Sequence, residues 1–196
     1  MTSPSFGAKP LVLRCSRCGR FVDWAEARLQ VVDGCRAHLD LPPVLVRPSE
    51  SADRQICIEM FESDFGHTTI VAFGDQVPLA ELPVLVAEMK GEVAGALAYR
   101  LLPDALHIAA LATSPMWQRS GVGGHLVAEA ELVARQQHLP RVIVSTTNDN
   151  LPAMYFYQRH QFEITDISVG GLRPHTTAVG FGGIPVRDEI RMAKKL

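Results

Sequence analysis

The chain has 196 residues, 47% of them apolar and 20% charged, with a formal net charge of −2. That length accommodates one full domain plus a small appendage, and the composition is ordinary for a globular protein. The near-neutral balance excludes a global attraction to nucleic acid or anionic membrane, and no apolar run approaches the ~20 residues that span a bilayer. Met1–Phe6 shows neither the basic region nor the apolar core of a signal peptide, so a cytoplasmic chain is expected.

Residues 1–42 hold three of the four cysteines and end at Leu41-Pro42-Pro43, where prolines stop regular structure. Cys15 and Cys18 are followed by Cys35 and His38 in the spacing C-x2-C-x16-C-x2-H. Two close pairs of thiolate and imidazole ligands match a tetrahedral Zn2+ site, and in a reducing compartment a metal is favoured over a disulfide. The module resembles a zinc ribbon or treble clef. Four protein ligands fill the shell, so the zinc is expected to be structural, giving folding energy to a unit with little core. Its arginines (14, 17, 20, 28 and 36) are offset by Asp23, Glu26, Asp33 and Asp40, and Phe21 and Trp24 are its aromatic candidates for stacking. A fold-stabilising knob, an acceptor-cleft wall or a homodimer contact is favoured over docking of nucleic acid or peptide.

Residues 43–196 alternate strand-like and helix-like segments. Val44–Arg47 is a short apolar run closed by Pro48. Ser49–Ser63 reads as a helix with Ile56, Met60 and Phe61 at helical spacing, and Cys57 is expected in its core face. Leu82–Met89, Lys90-Gly91 and Glu92–Leu101 read as a hairpin. Ala105–Thr113 is a strand. Gly121–Gln137 is a helix with Val122, Leu126, Ala130 and Val133 inward and Glu131 and Arg135 as an exposed i,i+4 pair. Arg141–Thr147 reads as a strand covered on both faces, Pro152–His160 as a short helix, and Phe162–Val169 and Glu189–Leu196 as strands. Asp64–Leu79 and Gly170–Pro185 are read as loops. The mixed order predicts an α/β (α+β) fold with a mixed sheet, not a repeated βαβ winding.

Gln118-Arg119-Ser120-Gly121-Val122-Gly123-Gly124 lies between a strand and a helix. Glycines let backbone N–H groups approach an anion, and a helix N-terminus adds partial positive charge. The dinucleotide fingerprint fails because Leu126 takes its last glycine position, and the lysine of a P-loop is absent. Downstream, Asn150 and Tyr157 stand seven apart, two helical turns, and so share a face.

Together, Val46-Arg47-Pro48, the 88–95 hairpin, Leu111–Pro115 leading into Q-R-S-G-V-G-G, and N-x-x-A-x-x-x-Y-x-x-x-x-F resemble the GNAT superfamily of N-acetyltransferases over about residues 44–196. The resemblance implies a mostly antiparallel sheet flanked by helices and an acyltransferase using acetyl-CoA on an amine. It implies a pyrophosphate seat at Arg119, Ser120, Gly121, Val122, Gly123 and Gly124, and backbone pairing of the pantetheine arm with Leu111, Ala112 and Thr113. Asn150 would touch the cofactor near its reactive end, and Tyr157 would protonate the departing thiolate. Two departures stand out. Gln161 replaces a glycine often found before the phenylalanine of the next strand. Ala110 and Ser145 stand where many members carry a basic glutamate, leaving His107, Glu62, Asp64 or ordered water as substitutes. A CoA-binding sensor with altered catalysis and a nucleic-acid-associated modifier guided by the zinc module therefore stay open as alternatives.

Overall fold

The computed structural model describes residues 43–118 and 120–196, together with the backbone of two short strands, β1 (Leu13–Arg14) and β2 (Phe21–Val22), which pair antiparallel. Cys15, Cys18, Cys35, His38 and Arg119 lie outside the described residues. The order then runs β3 (Leu45–Pro48), α1 (Arg54–Phe65), β4 (Thr69–Ala72), β5 (Asp75–Pro78), β6 (Val84–Met89), β7 (Glu92–Leu102) and β8 (Ala105–Thr113). It continues with α2 (Val122–Gln136), β9 (Arg141–Thr147), α3 (Leu151–Arg159), β10 (Glu163–Ser168) and β11 (Glu189–Lys195).

Among the described residues one seven-stranded sheet carries the fold, in the order β10-β11-β9-β8-β7-β6-β3. Every neighbouring pair in it is antiparallel except β8 with β9, which α2 joins by a crossover. Apolar layers cover the two faces. On one, α2 and α3 pack Val122, Leu126, Ala130 and Tyr157 against Leu97, Leu106, Ile108, Val142 and Val144. On the other, α1 sets Cys57 and Phe61 against Ala96, Ala98, Ala110 and Ala112. Alternation along β7 and β8 delivers residues to both layers, which is why these strands read as nearly continuous apolar runs. No described helix is long and apolar enough to cross a membrane.

Three sequence expectations change. The first helix starts at Arg54, not Ser49, because Arg47 grips Asp53 with two hydrogen bonds (2.6 and 3.1 Å) while Asp53 accepts from Glu50 N–H at 2.7 Å. That clasp holds the preceding residues in a turn, and the adjacent guanidinium keeps the Asp53 carboxyl below its ordinary range. Ile56 is consequently 45% exposed, whereas Cys57 and Phe61 are buried as expected. Second, Asp64–Leu79 contains a hairpin, β4–β5, turning at Phe73 (φ 55°) and Gly74 (φ 84°). Two successive positive φ angles are the twist a two-residue hairpin needs, and phenylalanine in the first position conceals it. Third, Glu131 keeps its i,i+4 partner Arg135 at 3.9 Å but is buried, not exposed, because Lys194 of β11 also donates to it at 2.6 Å.

The departure at Gln161 has a definite structural consequence. The N–H of Phe162 reaches Tyr157 O and that of Gln161 reaches Gln158 O, each at 3.0 Å, closing α3 in a Schellman motif. The motif requires a left-handed residue, and Gln161 supplies it at φ 68°. Gln161→Gly should therefore raise stability by on the order of 1 kcal/mol, a rise in Tm of about 2–4 °C measurable by calorimetry. An unchanged or lower Tm would show that the exposed glutamine side chain offsets the strain.

Candidate active site

Although β8 and β9 run parallel, they are in register at only three positions, Leu106 with Val142, His107 with Ile143 and Ile108 with Val144. The cause lies in β8. Ala98 pairs with Ala110 but Tyr99 pairs with Ile108, so Ala109 is the extra residue of a bulge. A bulge bends and twists its strand. Beyond it β8 keeps β7 as its neighbour and parts from β9. Leu111, Ala112 and Thr113 pair with Leu97, Ala96 and Gly95 on one edge, and their other edge faces the cleft between the parted strands.

The glycine segment sits at the head of this cleft. Gly121 is left-handed (φ 94°) and no side chain caps α2. The first intrahelical bond is His125 N–H to Gly121 O at 3.1 Å, so the N–H groups of Gly121, Val122, Gly123 and Gly124 have no partner within the helix. Ser120 shapes the loop from inside. Its N–H donates to Trp117 O at 3.3 Å, its hydroxyl donates to the same carbonyl, and the side chain is buried against Met89. The last two glycines are demanded by packing. A Cβ on Gly123 would lie 3.2 Å from the Phe156 ring, and one on Gly124 only 2.9 Å from that of His160. They let α3 press against the first turn of α2. Val122 likewise presses on β7, where a Cβ at Gly95 would fall 2.6 Å from its Cγ1.

Asn150 and Tyr157 both belong to α3, the first as its N-cap and the second two turns along it. The Asn150 side chain accepts from Ala153 N–H at 3.1 Å and caps the helix. Tyr157, two turns on, is 6% exposed and stands edge-on to Phe156 and Phe162, with ring centroids 5.1 and 5.4 Å away. Burial pushes its phenol well above the ordinary value of about 10. Tyr155 is 46% exposed on the outer side of the same helix.

On the α1 side of the sheet the substitute bases fare poorly. Ala110 and Ser145 occupy the two cleft strands and offer no carboxylate. His107 is fully buried, its Nδ1 accepts from Arg100 Nε at 2.9 Å, and its pKa falls to about 3 through desolvation first and the Arg100 charge second. It is the neutral imidazole, with its one acceptor nitrogen already taken by Arg100 and its proton on Nε2. Glu62 and Asp64 are exposed at the end of α1, and partial burial raises the Asp64 carboxyl. Sequence reasoning misses Glu189, which lies opposite Thr147 in β9 and is 4% exposed. Its carboxylate accepts from Phe73 N–H at 2.6 Å and from Arg191 Nε at 2.9 Å, and the Arg191 guanidinium lies 5.3 Å from the centre of the Phe73 ring. Glu189 thus fastens the β4–β5 turn across the sheet, a long-range contact that no local pattern announces. Among the described residues no group of three or more His, Cys, Asp or Glu could hold a metal ion.

A mixed sheet opened by a bulge beside an uncapped helix N-terminus defines the class. Residues 54–162 match the model of the acetyltransferase (GNAT) family, and the chain belongs to that family. It is 24% identical to the uncharacterized protein YdhI of Bacillus subtilis over 158 residues, 77% of this chain and 98% of that one. It is 27% identical to YxbD of the same organism, also uncharacterized, over 54% of this chain and 69% of that protein. Its fold is similar to that of a GNAT family acetyltransferase from Elizabethkingia anophelis with acetyl-CoA bound (TM-score 0.61, 17% identity, covering 78% of this chain and 98% of that one).

The tight seat of α3 on α2 can be tested directly. Gly124→Val should drive His160 outward and cost about 1–3 kcal/mol by overpacking, read as a lower Tm with helix content retained. An unchanged Tm would show that the imidazole simply swings aside.

Proposed function

We propose that this chain transfers the acetyl group of acetyl-CoA to a primary amine. The reading rests on one juxtaposition: the cleft-facing edge of Leu111–Thr113 leads along the chain to the N–H groups of Gly121–Gly124, which have no partner within the helix. An extended edge suits the amides of a pantetheine arm, and the helix terminus suits a pyrophosphate. Acetyl-CoA carries both in that order and supplies the acetyl thioester. The acetyl-CoA-bound relative of the same fold supports the choice. Arg119 would add its charge to the seat, and Asn150, whose Oδ1 is engaged in capping, would offer its Nδ2.

Tyr157 is the proposed donor to the departing sulfur. Its raised pKa keeps it protonated throughout the working range. Full transfer from a phenol above 10 to a thiolate of conjugate pKa about 8.5 runs uphill. The role that fits is a hydrogen bond that tightens as charge grows on sulfur, with the proton following in concert. On the acceptor side, His107 and Glu189 are both engaged in fixed contacts, which leaves the exposed Glu62 and Asp64, water, or an amine that arrives neutral. A CoA-binding sensor with little turnover is the second reading, favoured by the absence of a carboxylate at Ala110 and Ser145.

Release of CoA thiol against a panel of amines separates the two. Tyr157→Phe should lower kcat about 10–100-fold with acetyl-CoA affinity nearly intact, and wild-type kcat/KM should climb with pH toward the amine's own pKa without an alkaline fall from the tyrosine. Undiminished turnover in the variant removes the donor role, and no thiol release with any amine favours the sensor.

We further propose that Cys15, Cys18, Cys35 and His38 bind one structural Zn2+, a reading supported by their spacing alone. Metal analysis should find about one zinc per chain, lost in Cys15→Ser together with stability of residues 1–42. A metal-free chain with equal stability in both forms would dismiss it.

A further inference from the structure

The connection from β10 to β11, residues 169–188, borders the open end of the cleft, and the turn after β9 carries its principal fastenings. Asn148 acts as an added rung of the β9–β11 ladder. Its N–H donates to Asp188 O at 3.0 Å, its Oδ1 accepts from the N–H groups of Arg187 and Asp188 (both 2.9 Å), and its Nδ2 donates to Pro185 O at 3.0 Å. Asp188 closes the base of the loop, accepting from Gly170 N–H at 2.7 Å. Asp149 reaches the tip. Its Oδ2 accepts from Phe181 N–H at 3.1 Å, and Gly180 lies so near that a Cβ there would fall 1.8 Å from that oxygen. The other oxygen, Oδ1, is buried without a partner among the described residues. The next residue, Asn150, caps the helix that carries Tyr157.

We infer that Asn148 and Asp149 are positioning residues for the acceptor, holding the base and the tip of loop 169–188 at the mouth of the cleft while taking no part in binding acetyl-CoA. The inference rests on the acetyltransferase reading, in which this loop flanks the incoming amine. The two fastenings differ in kind. Asn148 satisfies both polar atoms of its amide and holds the loop base on both sides of Val186. Asp149 holds the tip by one bond and, in doing so, strands a carboxylate oxygen away from water. Opening the tip rehydrates that oxygen, so the tip is the movable part and the base its post.

Hydrogen exchange on the full chain tests this without turnover. In the wild type the amide of Phe181 should exchange faster than those of Arg187 and Asp188. Asn148→Ala should speed the latter two about tenfold or more; Asn148→Asp, which keeps the Oδ1 acceptor, should recover most of the protection. Asp149→Ala, which touches one bond, should speed Phe181 alone. Acetyl-CoA affinity by calorimetry should stay within about threefold in all three variants. With spermidine, tyramine and a tripeptide bearing a free N-terminus as acceptor probes, Asn148→Ala should raise KM about tenfold with kcat little changed for each probe that the wild type acetylates. Unchanged exchange in Asn148→Ala and Asp149→Ala, or a tenfold loss of acetyl-CoA affinity, overturns the assignment. A wild type inert toward all three probes counts against the transferase reading, and exchange and affinity then decide the positioning role by themselves.

Discussion

The parting of β8 from β9 is the constraint on which the rest of the molecule depends. Two parallel neighbours ordinarily satisfy each other's backbone groups along their whole length, and separating them leaves N–H and C=O groups facing a gap. The separation is sustained because each strand stays paired on its far side. β9 is bonded to β11 through seven consecutive registered pairs, and β8 follows β7 across the Ala109 bulge to Thr113. The bulge therefore bends a strand without breaking a sheet. It also sets where the cleft begins, one residue past the last β8–β9 pair at Ile108. From there the chain after Thr113 leads to α2, whose first N–H groups have no partner within the helix.

Much of this arrangement is legible in the sequence, for a physical reason. The long apolar strands, the 122–136 helix and the strand–glycine–helix order are local patterns, and local patterns survive in one dimension. Lys90-Gly91 announces its hairpin, and the turn has φ angles of 54° and 80°. The glycines are legible as a group but not individually. Gly121 alone answers to backbone conformation, while Gly123 and Gly124 exist for Phe156 and His160, residues more than thirty positions away. Glu131 misleads because its partner, Lys194, lies 63 residues on. Glu189 is silent because its partner is a backbone N–H 116 residues earlier. Contacts between distant segments decide which polar residues are structural, and spacing carries no trace of them.

Those same contacts bear on the chemistry. Ionisable groups are drawn into the scaffold: Asp53 clasps Arg47, Glu189 fastens Phe73, and His107 receives Arg100. Each is rigidly held, and each is held by bonds that use the lone pair or charge a proton transfer would need. Tyr157 differs in sign. A phenol is neutral when protonated, so burial favours that form and opposes ionisation. On the acetyltransferase reading proposed above, a phenol held protonated suits departure of a thiolate, while acceptors already engaged are poorly suited to deprotonating an ammonium.

The end of β8, the first turn of α2 and α3 belong to regular elements, with α3 pressed against α2 at two glycines. Elements of that kind hold a geometry closely because packing and backbone bonding agree. The Phe73–Gly74 turn and the 169–188 loop are instead tied down by side-chain carboxylates and amides reaching across the chain. Such ties fix a position while leaving the covered backbone free to vary in sequence and to open locally. On the proposed acetyltransferase reading, a scaffold divided in this way would keep the cofactor seat constant while the surface that meets the amine changes. The Asn148-Asp149-Asn150 turn is where the halves meet, two residues facing the loop and the third capping the helix of Tyr157.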